Sequence, residues 1–420
     1  MKIRWLVLAV LVMGGLWRAG ENSALANSAS QDREFHQIYN LAPAGTVGIY
    51  NTSGTIRITT WNENRVKVDA IKNGRRTEDF GRVEIQVTAN PDRVEIRVIY
   101  PNGFNWRGGG VSVDFDIKVP RTAAISPANS TSGNVDVTGP VERLIARTTS
   151  GDIIARDVAD TVSLTTTSGN INATRIGGEL RANATSGELT ISEVNSRLFA
   201  NASSGSIRAI QIRDDATATV SSGEVRLEKI GGKAIARSNS GGVVVNDVGG
   251  DVQATSLTDN VTINNVRGRA VVSAISGNVV LRNIEEGARV NAVSGSVNIS
   301  DSKGRIEVTT TSDNIILTNL DSRDVTAKTT SGNVQFTGKI HDDGHYEFES
   351  FNGEVVLVLP PDSNFNLYAK THNGSVNTEF PLQLTRTTGG SIMSGTVGKG
   401  GAEIRAGSFS GSVRIRKNQR

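Results

Sequence analysis

The stretch Thr149-Ser150-Gly151-Asp152-Ile153-Ile154-Ala155 decides how the rest of this chain is read, because the chain keeps rewriting it. Its glycine recurs at Gly133, Gly151, Gly169, Gly187, Gly205, Gly223 and Gly241, and the series continues through Asp259, Gly277, Gly295 and Asp313. Every step is 18 residues. The register then loosens to Gly332, Gly353 and Gly374, and Ser410-Gly411 repeats the phrase a last time. A fixed period of this length is the mark of a solenoid, a coil that buries its apolar face only by stacking on copies of itself.

Counting outward from each repeat glycine gives the content of one coil. Positions +2 and +4 are apolar, as in Leu189 and Ile191 or Val261 and Ile263, with polar residues such as Thr190 between them. That alternation is the strand period. A second apolar pair stands at +11 and +13, as in Val162 and Leu164 or Leu180 and Ala182. A lone apolar residue at +7 (Val158, Ile176, Val194, Ile212) precedes a second turn, often Gly-Gly as at Gly177-Gly178 and Gly231-Gly232. One period therefore holds two short strands and two corners. Parallel pairing with the next coil predicts a rise of about 4.8 Å per coil, so about 14 coils make a rod on the order of 65 Å long.

Glycine at the first corner suits a positive φ, and Asp259 and Asp313, which replace it, tolerate that region better than most residues. The serine before it (Ser150, Ser168, Ser186, Ser204, Ser222, Ser240) is expected to form a column of stacked hydroxyls. No proline occurs between Pro140 and Pro360, as central strands require. The +13 column shrinks to Ala182, Ala200, Ala218, Ala236 and Ala254 in the middle coils, which predicts that the sheets approach each other there.

The fold class is therefore all-β, a parallel β-solenoid of 18-residue coils with covered ends. Residues 1–26 read as a secretory signal: Lys2 and Arg4, the apolar run Trp5 to Trp17, too short for a membrane span, and Ala24-Leu25-Ala26. Residues 27–132 are strand-rich but out of register and read as an N-terminal cap with irregular first coils; Asn102 to Gly110 reads as an exposed loop. Residues 133–339 are the regular solenoid. Residues 340–420 read as irregular C-terminal coils and a cap, with Gly389 to Gly401 mobile and Ser408 to Arg416 as the closing strand.

Composition narrows the function more than it defines it. The formal net charge is +3, and removing Lys2, Arg4, Arg18 and Glu21 with the leader leaves +1. No basic block supports nucleic-acid binding. Cysteine is absent, which fits export and excludes disulfides and thiolate chemistry.

Further elements carry a family likeness. They are Ile49-Tyr50-Asn51-Thr52-Ser53-Gly54-Thr55-Ile56-Arg57-Ile58, Trp61, Val66-Lys67-Val68-Asp69-Ala70, Phe115-Asp116-Ile117-Lys118-Val119-Pro120 and the Ser-Gly-Asn/Asp-Val/Ile coils. With these the chain resembles the bacterial DUF4097 family of β-strand-repeat proteins, often labelled adhesins. The likeness spans nearly all of the chain beyond the leader. It implies the fold; it brings no catalytic residue, and the adhesin label follows from β-helical shape.

Candidate chemistry is sparse. Between Gly133 and Gly332 the one aromatic residue is Phe199, whereas β-helical polysaccharide enzymes line a face with carboxylates, cations and rings. The adjacent pairs Asp214-Asp215 and Glu285-Glu286 sit at corners, and neighbours on a strand face opposite ways, so neither forms a glycosidase pair. His341, His345 and His372, with Asp342 and Asp343, have ligand chemistry, but their spacing matches no standard metal site. The Gly-Asp pattern of calcium-binding β-rolls is missing, and the outward +14 column is interrupted by Arg237, unlike an ice-binding threonine ladder. Phe199, Ile235 and Val271 at +12 mark a small apolar strip for a partner.

No catalytic residue, cofactor or metal is expected. The expected role is an exported, non-catalytic binding or scaffold protein of the bacterial envelope, periplasmic, secreted or at the cell surface, whose partner is an envelope component, a polysaccharide or a protein. The alternatives are a carbohydrate-active enzyme and an envelope-stress accessory protein. Segments 102–110 and 341–352 are the first places to look for a site, as loops on a rigid scaffold.

Overall fold

The computed structural model describes residues 33–101, 110–388 and 392–418. The leader and nearly all of the loop expected at 102–110 lie outside them. Among the described residues the chain is a parallel β-solenoid of about 13 coils. Each coil gives one strand to each of two facing sheets, as Ile171–Ile176 and Leu180–Ser186 do. Pairing is parallel with the same column one period on: Ile171 with Leu189, Val162 with Leu180. Inward residues such as Ile171, Ala173, Ile176, Leu180 and Ala182 are fully buried. Each larger aliphatic side chain so buried stabilises by roughly 1.5–3 kcal/mol. The alanines of the +13 column are buried as completely as the leucines and valines around them.

Three polar columns lock the coils together, and two of them were not evident from spacing. At the first corner Gly133 to Gly241 have φ between 126° and 154°. The corner is also crowded: a Cβ on Gly169 would lie 2.0 Å from the carbonyl oxygen of Gly151. Asp313 keeps the left-handed region at φ 95°, as expected, but Asp259 does not. The strand before Asp259, Val252–Ser256, ends two residues earlier than its equivalents, and Ser256 Oγ accepts the Asp259 N–H at 3.2 Å. The residue after the corner forms the second column. Its side-chain oxygen accepts the equivalent backbone N–H of the next coil: Asn134 from Asp152 at 2.9 Å, Asp152 from Asn170 at 2.7 Å. This accounts for the repeated Ser-Gly-Asn/Asp phrase.

The third column is distinct from the expected serine column, which does form. Ser150, Ser168 and their successors are in register but exposed. The hydroxyls that hold the corner lie three residues before the glycine and are buried. Thr148 donates to Gly133 O at 3.1 Å, Thr166 to Gly151 O at 3.2 Å and Ser238 to Gly223 O at 2.9 Å. Thr166→Val keeps the shape and strands that carbonyl, so it is expected to lower stability by about 1 kcal/mol. Urea unfolding checks this, and an unchanged midpoint would remove the column from the account of stability.

The lone apolar residue at +7 has a backbone cause. Strict alternation after a buried +4 would point +7 outward. Instead the +6 residue is left-handed in ten successive coils: Asp157, Arg175, Glu193, Gln211, Lys229, Asp247, Asn265, Asn283, Asp301 and Asn319 have φ of 53–61°. That turn swings +7 back into the core, at a cost of about 1–2 kcal/mol for a residue other than glycine. Side chains along the column offset part of it. Asn265 Nδ2 donates to Asp247 Oδ1 at 2.8 Å, and Asn283 Nδ2 to Asn265 Oδ1 at 3.0 Å.

Both ends interleave distant segments. The coil Thr46–Ser53 and Ile56–Trp61 stacks directly on Ala124–Ser132 and Val135–Thr138. Its other edge is taken by Arg93–Ile99 and Ser112–Pro120. Antiparallel strands lie beyond: Glu84–Asn90 on Arg93–Ile99, then Arg65–Asn73 and Glu34–Asn40 in succession on Ser112–Pro120. At the other end Ala402–Ser410 and Val413–Lys417, expected to close the stack, are inserted within it. Ala402–Ser410 pairs with His345–Asn352 on one edge and Phe365–Asn373 on the other. The segment expected to be mobile contains the strand Ile392–Val397, which pairs antiparallel with Phe365–Asn373 and Leu382–Thr388.

The terminal strand Glu34–Asn40 is tied to its neighbour by His36, whose Nδ1 lies 2.7 Å from Asp69 Oδ1 and whose Nε2 lies 3.4 Å from Glu34 Oε2. The hydrogen bond to Asp69, then that to Glu34, raises the imidazole pKa. A raised folded-state value means the tie is complete below the ordinary histidine range and is lost as pH rises through the raised value. Proton NMR titration is expected to find His36 above the ordinary value, and Asp69→Asn to bring it down. A titration unmoved by that substitution would contradict the assignment.

Candidate functional site

The outer face of the C-terminal coils is where column chemistry departs from the repeat. Interleaving places four strands side by side: Asp324–Ser331, His345–Asn352, Ala402–Ser410 and Phe365–Asn373. Pairing puts Lys328 beside Glu349, Glu349 beside Gly407, and Gly407 beside Lys370. Glu347, Arg405 and Tyr368 form the adjacent row. In the regular coils this outward position carries Thr, Ser, Asn or Arg. Here Gly407 leaves a one-residue gap between the side chains of Glu349 and Lys370. It is not a steric requirement, since a Cβ there would make ordinary contacts of 3.7 Å to Lys370 Cε and 3.9 Å to Glu349 Cγ.

One wall of the gap is aromatic. Phe351 and Phe409 stack with centroids 4.7 Å apart and parallel planes, and His372 stacks on Phe409 at 4.7 Å. Phe351 is 50% and Phe409 42% exposed. The spacing is that of neighbouring strands, so the rings are an outward ladder set by the sheet. The same column holds the exposed Ile275 and Val293 farther back in the solenoid. Two hollows open from the gap. One of about 520 Å³ lies along the rings and includes Thr309, Thr330 and Lys328; one of about 480 Å³ lies between Glu347, Glu349, Tyr368 and Arg405.

Charge in the trough is unevenly paired. Lys328 Nζ reaches Glu347 at 2.8 Å and Glu349 at 3.3 Å. Burial pulls the Lys328 pKa down, but the hydrogen bonds it donates to Glu347 and Glu349 outweigh burial and leave the pKa raised. Lys370 and Arg405 have no carboxylate partner among the described residues. Glu347 and Glu349 share one wall and one ammonium. A glycosidase needs its two carboxylates on opposite sides of the scissile bond, one of them a proton donor.

The three histidines singled out by sequence go to separate places. His341 Nε2 lies 2.8 Å from Asp321 Oδ1, His345 Nδ1 lies 3.4 Å from Glu403 Oε2, and His372 belongs to the ring ladder. Among the described residues no group of three or more His, Cys, Asp or Glu side chains is placed to hold a metal ion. Segment 341–352 is not a loop over most of its length: His345–Asn352 is a strand of the stack. The acidic pairs sit at corners as expected, and Asp215 Oδ1 accepts the Lys233 N–H at 2.7 Å. The +12 strip is partly covered, because the Arg181 guanidinium lies 4.5 Å from the centre of the Phe199 ring; Val271 remains 38% exposed.

Sequence reasoning missed Phe351, Phe409, Gly407, Lys370, Arg405 and Tyr368 as a group. A signal was present: Phe351, Phe409 and His372 each stand two residues before a corner glycine, Gly353, Gly411 and Gly374.

No curated protein matches the chain. A crystal structure of a "putative cell adhesion protein" from Clostridium sporogenes ATCC 15579 is similar over 92% of this chain and 100% of that one, at 10% identity; its TM-score of 0.16 gives it no weight for fold or function. The family model described as Toastrack DUF4097 matches residues 45–244 and 235–416. That match spans nearly every coil and both interleaved ends, and the chain belongs to the Toastrack DUF4097 family.

Proposed function

We propose that this chain is an exported, non-catalytic binding protein of the bacterial envelope, and that it meets its partner through the outer face of the C-terminal coils. The observation that carries the proposal is the contrast between faces. Along the regular coils outward side chains bond to one another at several places, as Asn201 Nδ2 does to Asn183 Oδ1 at 3.0 Å and Arg289 Nε to Glu307 Oε2 at 3.1 Å, and single cations such as Arg237 stand without exposed rings beside them. Around Gly407 the face opens, with exposed rings and two cations that have no partner among the described residues. Unsatisfied groups on a rigid scaffold are what a ligand can use. Export rests on Lys2, Arg4, the run Trp5 to Trp17 and Ala24-Leu25-Ala26. Among the described residues no helix is long and apolar enough to cross a membrane.

The test incubates the purified chain with a panel of envelope and extracellular glycans and with isolated envelope fractions, reading retention and new reducing ends from the same samples. Retention without new ends is expected. New ends abolished by Glu349→Gln would replace this proposal with an enzyme, and no retention on any sample would remove it. Mass spectrometry of the expressed full chain is expected to find Asn27 at the N-terminus. An uncleaved chain in the cytosol would overturn export.

A further inference from the structure

We infer that the trough at Gly407 is a site for an acidic saccharide, a polymer of uronate-type sugars; this rests on the binding role proposed above and names its ligand class. The gap spans two strand spacings, from the strand of Glu349 to the strand of Lys370, or about 10 Å. That distance separates backbones, and the Lys370 and Glu349 side chains lean toward Gly407, so the room for a sugar ring is the 480 Å³ hollow that runs from Gly407 along Tyr368.

The charge identifies the ligand's sign. Lys328 is committed to Glu347 and Glu349, so the cations left for a ligand are Lys370 and Arg405. They lie in adjacent rows on either side of Gly407 and Tyr368. A guanidinium holds a carboxylate in a bidentate fork, and an ammonium adds a second charge-assisted contact. A sugar acid offers one carboxylate per ring, surrounded by hydroxyls that Glu349 and Thr330 can pair with.

The rings identify the remainder. Phe409 has both faces covered, by Phe351 and by His372, so the three rings stand as a continuous wall along the trough. Tyr368 is 44% exposed with no ring partner among the described residues, so its face is open to the C–H face of a pyranose. An acidic peptide has less to bind. His345–Asn352, Ala402–Ser410 and Phe365–Asn373 are each paired on both edges, which leaves no backbone groups for an added strand.

Gly407→Leu projects a side chain into the gap from a position where a Cβ meets only the ends of Lys370 and Glu349 at ordinary distances, and it is expected to fold, which circular dichroism checks. The full chain is titrated with oligogalacturonate, neutral dextran oligomers and poly-L-glutamate. Oligogalacturonate is expected to bind, and Gly407→Leu to weaken it roughly tenfold or more. The double variant Lys370→Ala/Arg405→Ala is expected to weaken it at least as much and to flatten its salt dependence. Thr219→Leu, at the equivalent outward position of a regular coil, is expected to leave it unchanged. Equal affinity in Gly407→Leu and the unaltered chain would overturn the site. Poly-L-glutamate binding as tightly as oligogalacturonate would replace the saccharide with an acidic peptide. Retention of neutral glycans or envelope fractions without any binding of oligogalacturonate would overturn the ligand class and leave the binding role standing.

Discussion

Gly169→Ala is expected to destabilise the solenoid by about 4 kcal/mol, with two independent causes. The first is conformational: φ at Gly169 is 149°, where a side chain is strained by about 1–3 kcal/mol. The second is steric: the new Cβ would lie 2.0 Å from Gly151 O and 2.5 Å from Gly151 C. Those atoms are backbone, held by the Gly151 N–H bond to Ser168 O and by the Thr166 hydroxyl on Gly151 O. They cannot step aside as the end of a side chain would, and overpacking adds about 1–3 kcal/mol. Gly242→Ala is the control, because its nearest contact would be Asn260 O at 3.5 Å. Urea unfolding should separate the two variants by a wide margin in midpoint. Native-state hydrogen exchange should place the loss in Ile153–Val158 and Ile171–Ile176. Equal midpoints would mean that the corner does not set the repeat.

That crowding is also why the architecture could be read so directly. A corner that crowds a Cβ favours glycine in coil after coil, with Asp259 and Asp313 as the two exceptions, and glycine is the easiest residue to see recurring. The buried columns were legible for a related reason, since a strand buried on one face must alternate. The +6 turn was not legible. Left-handed residues are recognised when they are glycine or asparagine, and here Arg175, Glu193, Gln211 and Lys229 take that conformation because the apolar residue after them must reach the core. The buried hydroxyls were missed because Ala184, Ala202 and Val220 interrupt their column. The exposed serines looked more regular, yet regularity on the surface carries little energy.

The candidate site was hidden by order along the chain. Sequence groups His372 with His341 and His345, residues with ligand chemistry whose spacing matches no standard metal site. Space places it beside Phe409 and Phe351, because Ala402–Ser410 inserts between two segments that precede it. No local pattern announces that insertion. It follows from long-range pairing that covers the edge of Phe365–Asn373, with Ile392–Val397 on its other side. Offset from the corner glycine is the better guide in such a chain, since side chains with equal offsets share a face whatever the order of their coils.

Phe348→Ala is expected to cost about 4 kcal/mol and to abolish binding at the trough, whereas Phe351→Ala, three residues on, should cost under about 1 kcal/mol. Phe348 is 1% exposed and packs on Phe336 with ring centroids 5.2 Å apart, while Phe336 also meets Tyr346 at 6.1 Å. Its neighbours in the same inward column are Ala327 on one side and Ala406 on the other. Small residues flank the large one and are fixed in paired strands, so they cannot collapse into the space a truncated Phe348 leaves, and the cavity term is felt in full. Tyr346 holds the start of the same strand: its hydroxyl donates to Ser322 O and accepts the His341 N–H, both at 2.8 Å. The opposite face of that strand carries Glu347, Glu349 and Phe351, so loosening the core beneath it disperses the trough above it. Urea midpoints and oligogalacturonate titration of both variants test this together. A Phe348→Ala chain that keeps its midpoint, or a Phe351→Ala chain that loses as much, would show that the C-terminal coils are not held from this core.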